Sequence, residues 1–159
     1  MAAPMNDRAR GTRRIRTRRR IREPAPRPAV AERLDAVDRL LDGEVTAAGG
    51  VWSRATAWIL RLALEQAVDD LWHRVAPDLA RCPMRAQLLA LRVYAGPGTA
   101  AAVAALWSAL SRAAHHHDYD LAPDVADLRR WREQTAALSA ELARTGRSAE
   151  LRWVRNELE

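Results

Sequence analysis

Residues 51–76 read VWSRATAWIL RLALEQAVDD LWHRVA, and this stretch decides the class of fold. Arg54, Arg61, Glu65, Asp69 and His73 follow one another at steps of seven and four, which lays them in a single stripe along an α-helix. Trp58, Ile59, Leu60, Leu62, Leu64, Val68, Leu71 and Trp72 cover much of the remaining circumference. A helix with so much apolar surface belongs at the centre of a bundle, where neighbours cover it on several sides. Composition agrees. Of the 159 residues, 33 are Ala and none is Phe. Strand formers are therefore scarce, and an all-β domain is excluded.

Outward from this helix, Gly43, Gly49-Gly50, Pro77, Pro83, Gly96-Pro97-Gly98, Pro123 and Gly146 punctuate the chain into further segments of helical length. Val30, Leu34, Val37 and Leu41 mark one face of a helix from Val30 to about Asp42. A shorter helix over 84–95 turns Leu88, Leu89 and Leu91 to the core, and an Ala-rich one over 99–114 turns in Val103, Leu106, Trp107 and Leu110. The last clear helix is expected to start with Pro123 in its first turn. It runs along Val125, Leu128, Trp131, Thr135, Leu138 and Leu142, and stops at Gly146. Leu151, Val154 and Leu158 allow a further short helix over 149–158. The expected fold is all-α, an antiparallel up-and-down bundle of four to five helices over 29–146, with 147–159 as a C-terminal extension. Trp52, Trp58, Trp72, Trp107 and Trp131 fall on apolar stripes and read as core or dimer interface before base-stacking residues.

All 26 basic residues are Arg, against 20 acidic ones, for a formal charge of +6. Residues 1–28 carry ten Arg against Asp7 and Glu23, a net of +8, so the rest of the chain is at −2. With four Pro and few large apolar side chains, residues 1–28 are expected to form a disordered basic tail. Arg13, Arg14, Arg16, Arg18, Arg19 and Arg20 could bind phosphate backbones by counterion release, without reading sequence. A solvated tail, a start placed upstream of the true one, or a contact with an anionic membrane would give the same block. The Ala- and Arg-rich, Lys-free composition suggests a GC-rich bacterial genome. The single Cys82 implies no disulfide-forming compartment. No apolar run approaches the roughly 20 residues of a membrane span, and no apolar signal core follows the Arg-rich start. The expectation is a cytoplasmic protein without a membrane role.

Chemistry concentrates in Ser111-Arg112-Ala113-Ala114-His115-His116-His117-Asp118-Tyr119-Asp120, a polar turn between two apolar helices. Adjacent imidazoles on one short turn cannot all converge on one ion, and Asp118, Asp120, His73 and Cys82 add no recognisable ligand spacing, so no metal or other cofactor is expected. Cys82, beside Pro83, has nothing to mark it as a nucleophile. Helix capping explains the charges: Arg and His suit a helix C-terminus, and Asp120 suits the start of the next helix. It does not explain three imidazoles followed by a tyrosine. Phosphate chemistry does better. An imidazole can take a proton from a ribose 2′-hydroxyl, while a guanidinium five residues away holds the charge that builds on phosphoryl oxygens.

Arg112, four intervening residues, His117, one residue and Tyr119 resemble the Arg-x4-His-x-Tyr pattern of HEPN domains, in particular the toxin half of nucleotidyltransferase–HEPN toxin–antitoxin pairs. An Arg followed five places later by His is expected by composition alone; the added Tyr, one of only two in the chain, makes the match informative. Residues 62–71, LALEQAVDDL, also look like the central helix of that family. The resemblance covers about residues 30–143 and implies a homodimer with two Arg/His pairs in a shared cleft, acting as a metal-independent endoribonuclease. It implies Arg112 and His117 as catalytic residues, and Tyr119 as an RNA-positioning residue or a site that a partner nucleotidyltransferase antitoxin modifies with AMP. His115, His116 and Asp118 are supporting candidates. The family usually has a polar residue after the Arg, and here Ala113 stands there. The alternative expectation is a non-catalytic helical dimer of the same shape that binds a protein or nucleic acid.

Overall fold

The computed structural model describes residues 27–43, 51–115 and 122–157, with side chains up to residue 149. Within them the chain forms five α-helices and no strand: α1 (Val30–Leu41), α2 (Val51–Val75), α3 (Met84–Tyr94), α4 (Gly96–Ala114) and α5 (Val125–Glu157). A single 3₁₀ turn, Leu79–Arg81, lies between α2 and α3. The helical bundle expected from periodicity is present. The basic residues Arg13, Arg14, Arg16, Arg18, Arg19 and Arg20 lie outside the described residues.

Helix α2 is the hub, packed on α5, α4 and α1. Ala57, Leu60, Ala63, Leu64, Val68, Leu71 and Trp72 are buried along it. Small side chains alternate with Leu on this helix, so a neighbour can approach closely between the larger residues. Two threonines complete the seam. Thr56 and Thr135 are wholly buried, and each hydroxyl donates to the carbonyl one turn back, Trp52 at 2.8 Å and Trp131 at 2.7 Å. Buried hydroxyls satisfied within their own helix need no partner across the interface. Arg54 in the first turn of α2 lines the same cleft as Asp124 before α5, while Leu71 near the end of α2 meets Gly146. The two helices therefore run in the same direction, as the short diagonal of the bundle, with α4 running against both.

The expected stop at Gly146 is corrected. Helix α5 passes through Gly146 without interruption and ends at Glu157, so the short helix foreseen over 149–158 is its continuation. Gly146 is there for approach: a Cβ at this position would lie 3.0 Å from Arg74 Nε and 3.4 Å from Leu71 Cδ1. The Arg74 side chain, whose Nε donates to the Asp70 carbonyl at 3.0 Å, is the movable neighbour. Gly146→Ala is therefore expected to leave stability within about 0.5 kcal/mol, because the helix-propensity gain of about 1 kcal/mol offsets the displacement of Arg74. Gly146→Val, which adds methyls against Leu71, should cost about 1–3 kcal/mol in urea unfolding.

Other boundaries shift for local reasons. Helix α4 begins at Gly96, three residues before the expected start, because Gly96 takes the bend between α3 and α4 with φ of +82°. Pro97 then fits the first turn, where its missing N–H is not needed. Pro123 stands before the α5 cap, not inside the helix; the cap is Asp124, whose Oδ1 accepts the Asp127 N–H at 2.7 Å. Leu89 corrects the reading of α3: it is 73% exposed, while Leu91 is buried and Leu88 half-buried. Of the tryptophans, Trp72 is buried, Trp52, Trp107 and Trp131 are half-buried, and Trp58 is exposed.

One ion pair ties the outer helices together. Arg132 on α5 reaches Asp38 on α1 with two hydrogen bonds, 2.8 Å from Nε and 2.5 Å from Nη2. That hydrogen-bonded carboxylate raises the pKa of Arg132 above its ordinary value, so the guanidinium stays charged wherever the protein folds. Both side chains keep substantial exposure, and Asp38→Ala should lower stability by about 1 kcal/mol or less, with the loss shrinking at high salt.

Candidate functional site

Helix α4 brings Arg112 to one end of the bundle. The helix closes at Ala114, and the His115 N–H bonds back to the Ser111 carbonyl at 3.3 Å. Arg54, on the first turn of α2, donates from Nη1 to the His115 carbonyl at 2.8 Å. A cation at the carboxyl end of α4 meets both an orphan carbonyl and the negative end of the helix dipole. Arg54 thereby fixes where the chain leaves α4 and enters the segment that carries the remaining histidines.

A cleft of about 560 Å³ opens at this point between α2, α4 and the start of α5. Its lining comes from Arg54 on α2, from Ala109, Arg112 and Ala113 on α4, and from Pro123, Asp124, Asp127 and Trp131 before and along α5. The two carboxylates are already engaged. Asp124 caps α5, and Asp127 accepts from Arg130 Nη2 at 2.5 Å. The two guanidiniums are engaged as well, Arg54 on the His115 carbonyl and Arg112 on Ser108, and the Trp131 indole completes the lining.

Arg112 is exposed, and its Nη1 donates to Ser108 Oγ at 2.9 Å, one turn back along α4. Ala113 is half-buried against the core and supplies no polar atom to the cleft. The His115 side chain is exposed; only its carbonyl takes part, as the acceptor for Arg54. His116, His117, Asp118 and Tyr119 lie outside the described residues, in the six-residue segment between His115 and Ala122. The structure thus brings together Arg112, His115 and Arg54. Among the described residues, no three His, Cys, Asp or Glu side chains form a metal-ligand group. Cys82 is a free, half-buried thiol, with its sulfur 3.8 Å from the Asp78 carbonyl.

Arg54 is the residue that reading the sequence passed over as one member of a polar stripe. A signal was available. The first turn of α2 holds a cation and no acid, the reverse of what the helix dipole favours. An Arg so placed needs a use elsewhere, and here that use is the end of α4.

Comparison of the chain with models of protein families, with characterised proteins and with solved structures finds no match in any of the three. None of the described helices is long and apolar enough to cross a membrane.

Proposed function

We propose that the protein is a HEPN-like, metal-independent endoribonuclease of a toxin–antitoxin or defence system, acting as a homodimer, with a nucleotidyltransferase antitoxin as its partner. The observation that carries this reading is the cleft at the end of α4, which Arg112 and a second arginine, Arg54, both line. Chain connectivity keeps His117 two residues from His115, the residue whose carbonyl Arg54 holds. His117 takes the proton from a ribose 2′-hydroxyl, and the 2′-oxygen attacks phosphorus. The bond to the 5′-oxygen breaks, the His117 imidazolium gives its proton to the leaving oxygen, and a 2′,3′-cyclic phosphate remains on the upstream fragment. Arg112 leaves Ser108 to hold the charge on the phosphoryl oxygens. Tyr119 positions the RNA or accepts AMP from the antitoxin. The arginines of residues 1–28 raise the rate of encounter with RNA.

The experiment is an RNA cleavage assay with chelator present. Cleavage that persists and leaves cyclic phosphate ends supports the mechanism; cleavage that requires a divalent ion rejects it. One observation favours the second reading, a non-catalytic dimer that binds protein or nucleic acid: Arg112 is tied to Ser108, and Ala113 brings no polar group to orient it. On that reading, no preparation cleaves RNA, and removal of residues 1–28 abolishes salt-sensitive nucleic-acid binding.

A further inference from the structure

On the opposite flank of α4 from α5, a groove of about 730 Å³ runs between α3 and α4. Its walls are apolar, with Leu88 and Leu89 from α3 and Ala101, Ala104 and Trp107 from α4. The Trp107 ring is fixed, because its Nε1 donates to Glu65 on α2 at 2.8 Å. Leu89 is 73% exposed and Val93, one turn on, is 84% exposed. Two large apolar side chains on successive turns of one short helix, beside a preformed groove, have the character of an interaction surface.

Charge identifies the occupant. Arg85 and Arg92 rim the groove seven residues apart, two turns along the same side of α3, and both are exposed. No acidic residue occurs anywhere between Asp78 and Asp118, although residues 29–159 as a whole carry a net −2. The α3–α4 hairpin is thus a cationic, apolar face on a slightly acidic body. We propose that this groove docks an amphipathic helix of another protein, with an apolar stripe for the floor and acidic residues about seven apart to meet Arg85 and Arg92. The eleven residues of α3 set the footprint at about 16 Å, three turns of the incoming helix. The chain's own residues 1–28, at net +8, carry the wrong charge to lie there. A second copy placed face to face would set Arg85 and Arg92 against like charges.

This inference stands apart from the ribonuclease reading, and its test does not involve RNA cleavage. Two synthetic amphipathic peptides with the same Leu stripe, one with Glu and one with Lys seven residues apart on both flanks, are titrated into the full-length protein. Calorimetry reports binding. The expected result is binding of the Glu peptide, at least about tenfold weaker binding of the Lys peptide, and a reversal of that preference in the Arg85→Glu/Arg92→Glu double variant. Leu89→Asp, at an exposed position, should abolish binding of both peptides without loss of helicity. Equal affinity for the two peptides, no binding of either, or unchanged binding by the double variant would overturn the proposal. So would displacement of the Glu peptide by polyadenylate, which would assign the face to nucleic acid. A dimer that Leu89→Asp converts to monomer would assign it to a second copy, and would likewise overturn the proposal.

Discussion

His117→Ala is expected to lower RNA cleavage by about 10²–10⁴-fold, the usual worth of a positioned general acid or base. Arg112→Ala should cost about 10²–10³-fold, through loss of charge stabilisation at the phosphoryl oxygens. Because the proposed mechanism has the two groups serve one transition state, the double variant should be little worse than the poorer single variant. Growth inhibition on expression should disappear with cleavage. Unchanged cleavage by His117→Ala rejects the assignment of that residue. Arg54→Ala makes a different prediction. Its contact is with the backbone carbonyl of His115, so its removal should loosen the exit of α4 and reduce cleavage without a change in the pH profile set by His117. A shifted profile would place Arg54 in the chemistry itself.

Trp72→Ala is expected to cost about 3–5 kcal/mol, the largest stability loss of any single truncation in this bundle. Trp72 is fully buried and the largest buried side chain. Its ring meets Tyr94 edge-on at 5.2 Å between centroids, with an interplanar angle of 89°, and so joins α2 to the end of α3. Its indole Nε1 has no hydrogen-bond partner within the described residues. Trp72→Phe should therefore lose less than its volume change suggests, because it removes an N–H that gains nothing from burial. Urea unfolding of the two variants checks this: Trp72→Phe should retain well over half the stability that Trp72→Ala loses. Trp58→Ala, at a side chain 51% exposed, serves as the control and should cost much less.

The apolar circumference of α2 was open to reading because helical periodicity is local: side chains three and four apart share a face wherever the helix goes. Val37, Leu64, Leu110, Leu128 and Leu142 are buried as their spacing implies. Leu89 and Leu91 show the limit. Both belong to an apolar run on one short helix, yet one is buried and the other exposed. Their spacing places them on different sides of α3, and only the position of α4 decides which side is covered. At the cleft, Arg112 was legible through its distance from His117 and Tyr119. For Arg54 the sequence signalled a misplaced cation but not its partner, which is 61 residues away in sequence.

The amino-acid sequence alone determined that this protein is helical, where most of its helices run, and that charge and histidine gather in separate short segments. These properties depend on neighbours within a turn or two of the chain. Tertiary structure decided that Gly146 is a point of close approach within a continuous helix, that Arg54 closes the end of α4, and that one face of α3 stays open between two arginines. Each of these is settled by which surface another helix occupies, and that is a property of packing between distant segments, on which local pattern carries no information.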